Sequence, residues 1–257
     1  MLSHQIGRCT LFATAGVLTL ALFGCGGNSL SKPFGTDPND TNKERVLNTL
    51  VSGPSTAIDF AQRSINLNSS PLAFGQSTNY ATVSSGISVK TDAYRSGTTT
   101  LVAPEASVTM TRSFLYTEVL AGIYGTSGTT APRLIQFSDN FPSSVPVSSV
   151  ALRVINLSPD SPPITLYNTS GTPATAVAIT GLGDVAYGTV STSGSASYIT
   201  ATAGVYNLSV RDNAGNVLTS LGSVTLNGSR IYSIFLYGLV RPAAGQPSTQ
   251  AVLLTDQ

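Results

Sequence analysis

The chain has no tryptophan, two cysteines, two methionines and one histidine in 257 residues, and only 10% of its residues are charged. Each shortage excludes something. Two cysteines cannot make a disulfide framework, so stability has to come from packing. One histidine and two cysteines cannot supply the usual four-ligand zinc sets. Thirteen Lys+Arg against 12 Asp+Glu leave a formal net charge of +1. That balance offers no basic stripe for phosphates and argues against a nucleic-acid partner. What the chain does have is 24 glycines, 14 prolines and 41% hydrophobic residues. The hydrophobic content can build cores. The glycine, proline, serine and threonine favour strands and turns over long helices.

The first residues read as a leader. Arg8 lies in a short polar head, and an apolar run follows over residues 11–23. That run is shorter than the roughly 20 residues a membrane helix needs, and has the length of a secretory core segment. Leu22-Phe23-Gly24-Cys25 then resembles the bacterial lipobox. The reading predicts a signal peptide over residues 1–24 and a mature N-terminus at Cys25 that carries acyl chains such as palmitate. Two or more chains make such an anchor in the bilayer stable. Gly26 stands where an Asp would favour the inner membrane, so an outer-membrane location is expected. An ordinary cleaved signal peptide and an uncleaved anchor are the plainer alternatives. Loss of the leader removes His4, Cys9 and Arg8, so basic residues then equal the 12 acidic ones. No histidine and no second cysteine remain.

Residues 25–43 are polar, with Gly, Pro and Asn, and read as a flexible tether. Within them, Asp37-Pro-Asn-Asp40-Thr-Asn42 has the oxygen-rich look of a calcium loop. It lacks the Gly and the distal Glu of an EF-hand and reads as linker. An internal repeat follows. Arg45-Val-Leu-Asn48 matches Arg153-Val-Ile-Asn156, and Ala57-Ile-Asp-Phe60 matches Pro163-Ile-Thr-Leu166. Tyr80-Ala-Thr-Val-Ser84 is paired with Tyr187-Gly-Thr-Val-Ser191. Phe114 to Gly122 matches Arg230 to Gly238, and Ile135-Gln-Phe-Ser-Asp139 matches Val252-Leu-Leu-Thr-Asp256. The expected domains are therefore 44–140 and 150–257, with a linker over 141–149.

Alternation of period two, as in Val205-Tyr-Asn-Leu-Ser-Val210, recurs between Gly, Pro and Asn punctuation. Asn227-Gly228 predicts a tight hairpin between flanking strands. Asp212-Asn-Ala-Gly215 predicts a second turn. Thr41-Asn-Lys-Glu44 has the form of a helix capping box. Its repeat partner, residues 149–157, is β-branched, so both segments are expected as strands. About seven strands per unit fit an all-β fold of two tandem antiparallel β-sandwich domains, immunoglobulin-like or transthyretin-like.

Arg153-Val-Ile-Asn-Leu-Ser-Pro-Asp-Ser-Pro162, followed by Ile164-Thr-Leu-Tyr167, resembles the opening of the bacterial family called domain of unknown function 4397. Members typically read R-V-x-x-x-S-P-D-x-P before an alternating strand. Tyr187, Ala203-Gly-Val-Tyr-Asn-Leu-Ser-Val210 and the strand ending in Gly238 fit as well, so the resemblance covers most of residues 150–240. In the first unit Val51-Ser-Gly-Pro-Ser-Thr56 stands in for the Ser-Pro-Asp-x-Pro run. The resemblance implies a secreted or surface-anchored β-sandwich, often in tandem. It implies no activity and no catalytic residues.

The mature chain cannot assemble Ser-His-Asp or Cys-His chemistry. Gly181-Leu-Gly183 has neither P-loop nor dinucleotide spacing and reads as a turn. Arg45 and Arg153 share one repeat position and read as structural residues on the outer face of the first strand. Asp160 reads as a turn residue that accepts backbone N–H groups. No catalytic, cofactor-binding or metal-ligating residue is assigned. The expected function is that of a membrane-anchored envelope lipoprotein with a non-enzymatic structural or partner-binding role, its partner an envelope protein or a glycan. A ligand- or glycan-binding surface lipoprotein is the alternative. A carboxylate-based enzyme is a third reading, one that requires facing acidic residues in a cleft.

Overall fold

The computed structural model describes residues 41–257 apart from 52–56, 63–64, 85, 104–105, 112, 171–175 and 192–197, and gives only the backbone of residues 84, 86–89 and 106–109. The leader over residues 1–24, Cys25, Gly26, the tether as far as Asp40 and most of the Val51 to Thr56 motif lie outside the described residues.

The fold is all-β. In the N-terminal half the strands are β1 (Thr41–Asn48), β2 (Ile58–Gln62), β3 (Ile65–Asn66), β4 (Ala81–Ser84), β5 (Gly86–Arg95), β6 (Ala106–Met110), β7 (Leu115–Ala121) and β8 (Arg133–Ser138). In the C-terminal half they are β9 (Ser149–Asn156), β10 (Ile164–Asn168), β11 (Val177–Ala178), β12 (Thr189–Val190), β13 (Ile199–Thr202), β14 (Gly204–Asp212), β15 (Val217–Leu226), β16 (Arg230–Tyr237) and β17 (Gln250–Thr255). The Thr41 to Glu44 segment is strand, so β1 starts inside the stretch read as tether. Tertiary pairing with β4 and β7 outweighs the local capping signal.

Each half stacks two sheets. The N-terminal half has orders β4-β1-β7-β8 and β3-β2-β5-β6. The C-terminal half has β12-β9-β16-β17, with β13 also on β9, and β11-β10-β14-β15. Pairing is antiparallel except for β1 with β7 and β9 with β16, which run parallel in the same register: Arg45 lies opposite Thr117, and Arg153 opposite Ser233. The Asp212 to Gly215 turn joins β14 to β15 as a hairpin, and Gly215 takes φ +85°.

The Asn227-Gly228 hairpin does not form. β15 pairs with β14, whereas β16 pairs with β9 and β17, so the chain crosses between sheets at this point. Gly228 serves a close approach instead. A Cβ there would sit 1.7 Å from the Val147 carbonyl oxygen. Tyr232 fixes the crossing, its hydroxyl accepting the Asn227 N–H at 3.0 Å.

Strand alternation sends the two faces of β1 and β9 to different places. Val46 joins Ile58, Phe60, Leu72 and Leu120 inside the N-terminal half. Val150, Leu152 and Val154 join Ile164, Leu166, Leu208, Val210, Leu226 and Ile234 inside the C-terminal half. The opposite faces meet each other: Leu47, Val119, Ala121 and Phe137 pack with Ile155, Leu157, Phe235 and Tyr237. The two halves therefore share a third core. Phe141 and Val145 of the 141–149 segment pack on a separate small cluster, Ala151, Tyr198 and Ile231.

Candidate functional site

Arg45 and Arg153 point into the junction between the halves, not outward. Arg45 is 3% exposed and Arg153 fully buried, which corrects the outer-face expectation. The reason is the shared third core, which covers the faces that an isolated sandwich would show to water. The two arginines are held in a crossed arrangement. Arg45 Nη1 reaches Asp256 Oδ1 at 2.7 Å, across the junction. Arg153 Nη2 pairs with Asp139 Oδ1, across the junction in the other direction. Each Nε donates to a hydroxyl of its own half, Arg45 to Thr117 Oγ1 at 2.8 Å and Arg153 to Ser233 Oγ at 2.6 Å.

The Oδ2 oxygens of the two carboxylates accept hydrogen bonds in the same symmetrical way. Asp139 Oδ2 accepts from Thr117 Oγ1 (2.7 Å) and from the Tyr80 hydroxyl (2.7 Å). Asp256 Oδ2 accepts from Ser233 Oγ (2.5 Å) and from the Tyr198 hydroxyl (2.9 Å). The guanidinium of Arg45 lies 4.8 Å from the Tyr80 ring centre, and that of Arg153 4.6 Å from that of Tyr198. Phe141 stands edge-on to both tyrosines. Burial, the largest single influence, pulls the Arg153 guanidinium down, but Asp139, Tyr198 and Asp256 together more than offset it and hold the group above its ordinary value. Burial pushes the Tyr80 hydroxyl well up, helped by Asp139 and opposed by Arg45. Burial does the same to Tyr198 against the opposing charge of Arg153.

This geometry corrects one repeat pairing. The counterpart of Tyr80 is Tyr198, not Tyr187. Glu44 lies opposite Ala81 on β1, and Leu152 lies opposite Ile199 on β9, which places the two tyrosines alike. Tyr187 precedes Gly188 as Phe74 precedes Gly75, and both glycine N–H groups donate at 2.7 Å to the matching Asn156 and Asn48 carbonyls. Asp160 accepts backbone N–H groups as expected, but from Val240 and Arg241 at 2.9 Å each, far along the chain, and not within a local turn.

A second polar cluster has no counterpart in the sequence reading. On the inner face of β1, Asn42 and Glu44 are buried, and Glu118 of β7 and Thr91 of β5 join them with no exposure. Gln62 Nε2 donates to Glu44 Oε2 at 2.9 Å and approaches Met110 Sδ at 3.4 Å. Register with the other half gives their equivalents. Asn42 corresponds to Val150, Glu44 to Leu152 and Glu118 to Ile234, all fully buried apolar residues. Burial raises both carboxyls; for Glu44 the nearby Glu118 raises it further. Beside the cluster, a cavity of about 230 Å³ opens between β4 and β3 and is lined by Gln62, Ile65, Leu67, Ala81 and Val83, among others. The sequence signal was available in the repeat: aligning Arg45 with Arg153 puts Glu44 against Leu152. Among the described residues no group of three or more His, Cys, Asp or Glu side chains is placed to hold a metal, and no helix is long and apolar enough to cross a membrane.

A comparison with curated proteins returns no match. Among solved structures, one similar chain is a Bacteroides eggerthii protein described as a candidate cell adhesion protein. It is 9% identical, with 86% of this chain and 97% of that chain covered and a TM-score of 0.19. At that score the likeness carries no argument. The motif reading centres its resemblance on residues 150–240, whereas the family match begins at Arg45 and overlaps that stretch only as far as Tyr167. Residues 45–167 match the model of the family described as domain of unknown function (DUF4397), which supports that family for this stretch of the chain.

Proposed function

We propose that the protein is a bacterial envelope lipoprotein in which two tandem copies of one β-sandwich form a single stiff body with a non-enzymatic, spacing or partner-binding role. The observation that carries the stiff body is the crossed pair of buried ion pairs, Arg45 with Asp256 and Arg153 with Asp139, set in a shared apolar core. Buried charges are tolerated only when paired and hydrogen-bonded. Each half therefore needs the other to satisfy its own arginine. The anchor rests on the leader and Cys25. The outer membrane is the proposed destination, with an envelope protein or a glycan as partner. The test is intact mass and fractionation of the full chain beside Cys25→Ala in a Gram-negative host. The expected result is an acylated mature chain beginning at Cys25 in the membrane fraction, with both features lost in the variant. A wild type that is soluble and unmodified overturns the anchor.

One observation favours a ligand-binding reading as the second. The N-terminal half has a polar inner cluster beside an open cavity, where the C-terminal half is apolar.

A further inference from the structure

Counted as carboxylates, Glu44 and Glu118 are short of donors. Glu44 Oε1 and both carboxyl oxygens of Glu118 have none, although neither residue is more than 2% exposed. Yet the two side chains lie within hydrogen-bonding reach of each other, and Thr91 lies within reach of Glu118. An ionised carboxyl accepts and never donates, so two carboxyl groups bond to each other only through a proton. Buried polar groups are nearly always satisfied, and protonation satisfies these from within. The orphaned oxygens therefore mark protons held by the pair.

The surroundings favour keeping those protons. On β1, Lys43 is exposed on the opposite face, and Arg45 is turned to the junction, where Asp256 holds it. On β5, Lys90 and Asp92 flank the inward Thr91 and alternate to the other face. On β7, Tyr116 shares the inner face with Glu118, and its hydroxyl accepts the Thr111 N–H at 2.7 Å. On β8, the uncharged Gln136 lies opposite Glu118. No cation among these described side chains faces the pair, so two charges there would be buried, adjacent and unbalanced. Gln62 belongs to the opposing sheet, and its bond to Glu44 makes the pair part of the contact between the two sheets. We propose that Glu44 and Glu118 form a proton-held latch between the sheets of the N-terminal half, closed while the pair is protonated and released as pH rises. The C-terminal half has no such latch, since Leu152 and Ile234 stand at the matching positions. This inference does not rest on the anchor or on a partner.

Unfolded, both carboxyls lose their protons at about pH 4.3. Folded, they keep them to higher pH, so the stability they bring is complete below that value and drains away as pH rises through the folded range. Beyond residue 25 the chain has no histidine and no cysteine, so between about pH 6 and 9 no side chain of ordinary pKa there changes charge. The test is urea unfolding of the full chain in detergent across that window at constant ionic strength. For wild type the ratio of folded to unfolded chain is expected to fall about tenfold per pH unit for each proton held. Glu44→Gln with Glu118→Gln replaces the protonated pair by amides that donate without titrating, and is expected to make the ratio flat. Should that variant not fold, Glu44→Leu with Glu118→Ile installs the residues of the other half and is expected to be flat as well. A wild type that is flat across the window overturns the latch. So does a folded double variant that slopes as wild type does, because the titrating group is then elsewhere.

Discussion

The two halves of this molecule repeat one strand order, yet they differ in what they put inside it. At the junction they carry the same chemistry twice: Arg45 and Arg153, Thr117 and Ser233, Tyr80 and Tyr198, Asp139 and Asp256. In the cores they part. The C-terminal half closes over Val150, Leu152, Leu208 and Ile234, and the N-terminal half places Asn42, Glu44, Thr91 and Glu118 at the corresponding points. The fold thus constrains the junction and tolerates either chemistry in the core. The core is where the sandwich is free to vary, and the joint between the halves is where it is not.

The comparison can be broken most severely at the junction. Arg153→Ala leaves Asp139 with no guanidinium partner in a fully buried position. An uncompensated buried charge costs about 3–5 kcal/mol. Chemical denaturation should show the unfolding free energy lowered by that amount, and Arg45→Ala should cost a similar amount through Asp256. A loss under about 1 kcal/mol, the range of exposed pairs, would mean that the junction opens to water in solution. The cores give a smaller effect of opposite sign. Glu44→Leu with Glu118→Ile makes the N-terminal half apolar like its neighbour. Replacing buried polar pairs with apolar residues is often stabilising by about 1–4 kcal/mol. The double variant should therefore outlast wild type in urea. The reverse change, Ile234→Glu, puts a lone carboxyl in an apolar core and should destabilise the chain.

Much of this was legible before any coordinates. The strand content, the Asp212 to Gly215 hairpin, the strand state of β1 and the pairing of Arg45 with Arg153 and of Asp139 with Asp256 all follow from alternation and repeat spacing. The junction was not legible, because alternation tells which residues share a face but not what covers it. An arginine on the outer face of one sandwich reads as exposed until a second sandwich is laid on it. Tyr198 was missed because the first unit has only Asn79 where the second has residues 192–197, so the local likeness of Tyr187-Gly-Thr-Val misled the alignment. Asn227-Gly228 has the composition of a tight hairpin. Which strands pair across it is decided by β9, far away in sequence. The carboxyl pair was hidden by separation: Glu44 and Glu118 are unremarkable in the chain and meet only through the parallel pairing of β1 with β7.

The smallest effect sharpens the symmetry of the junction. Tyr80 and Tyr198 each donate to one oxygen of an aspartate that also accepts a hydroxyl, so either carboxylate keeps a partner when its tyrosine is lost. Tyr80→Phe and Tyr198→Phe should each cost about 1 kcal/mol, the net worth of one hydrogen bond. Their pH behaviour is more informative. Both hydroxyls are raised by burial in the folded state. A group raised on folding stabilises the native state below its unfolded value. That contribution fades as pH climbs past the unfolded tyrosine value near 10. Wild type should therefore weaken above about pH 10, and the Tyr80→Phe/Tyr198→Phe chain should weaken less steeply. Absorbance of phenolate at alkaline pH reads this directly. Two tyrosines should ionise only together with the loss of β-structure seen by circular dichroism. If both titrate while the sheets are intact, the junction admits water, and the two halves move apart more readily than the crossed ion pairs imply.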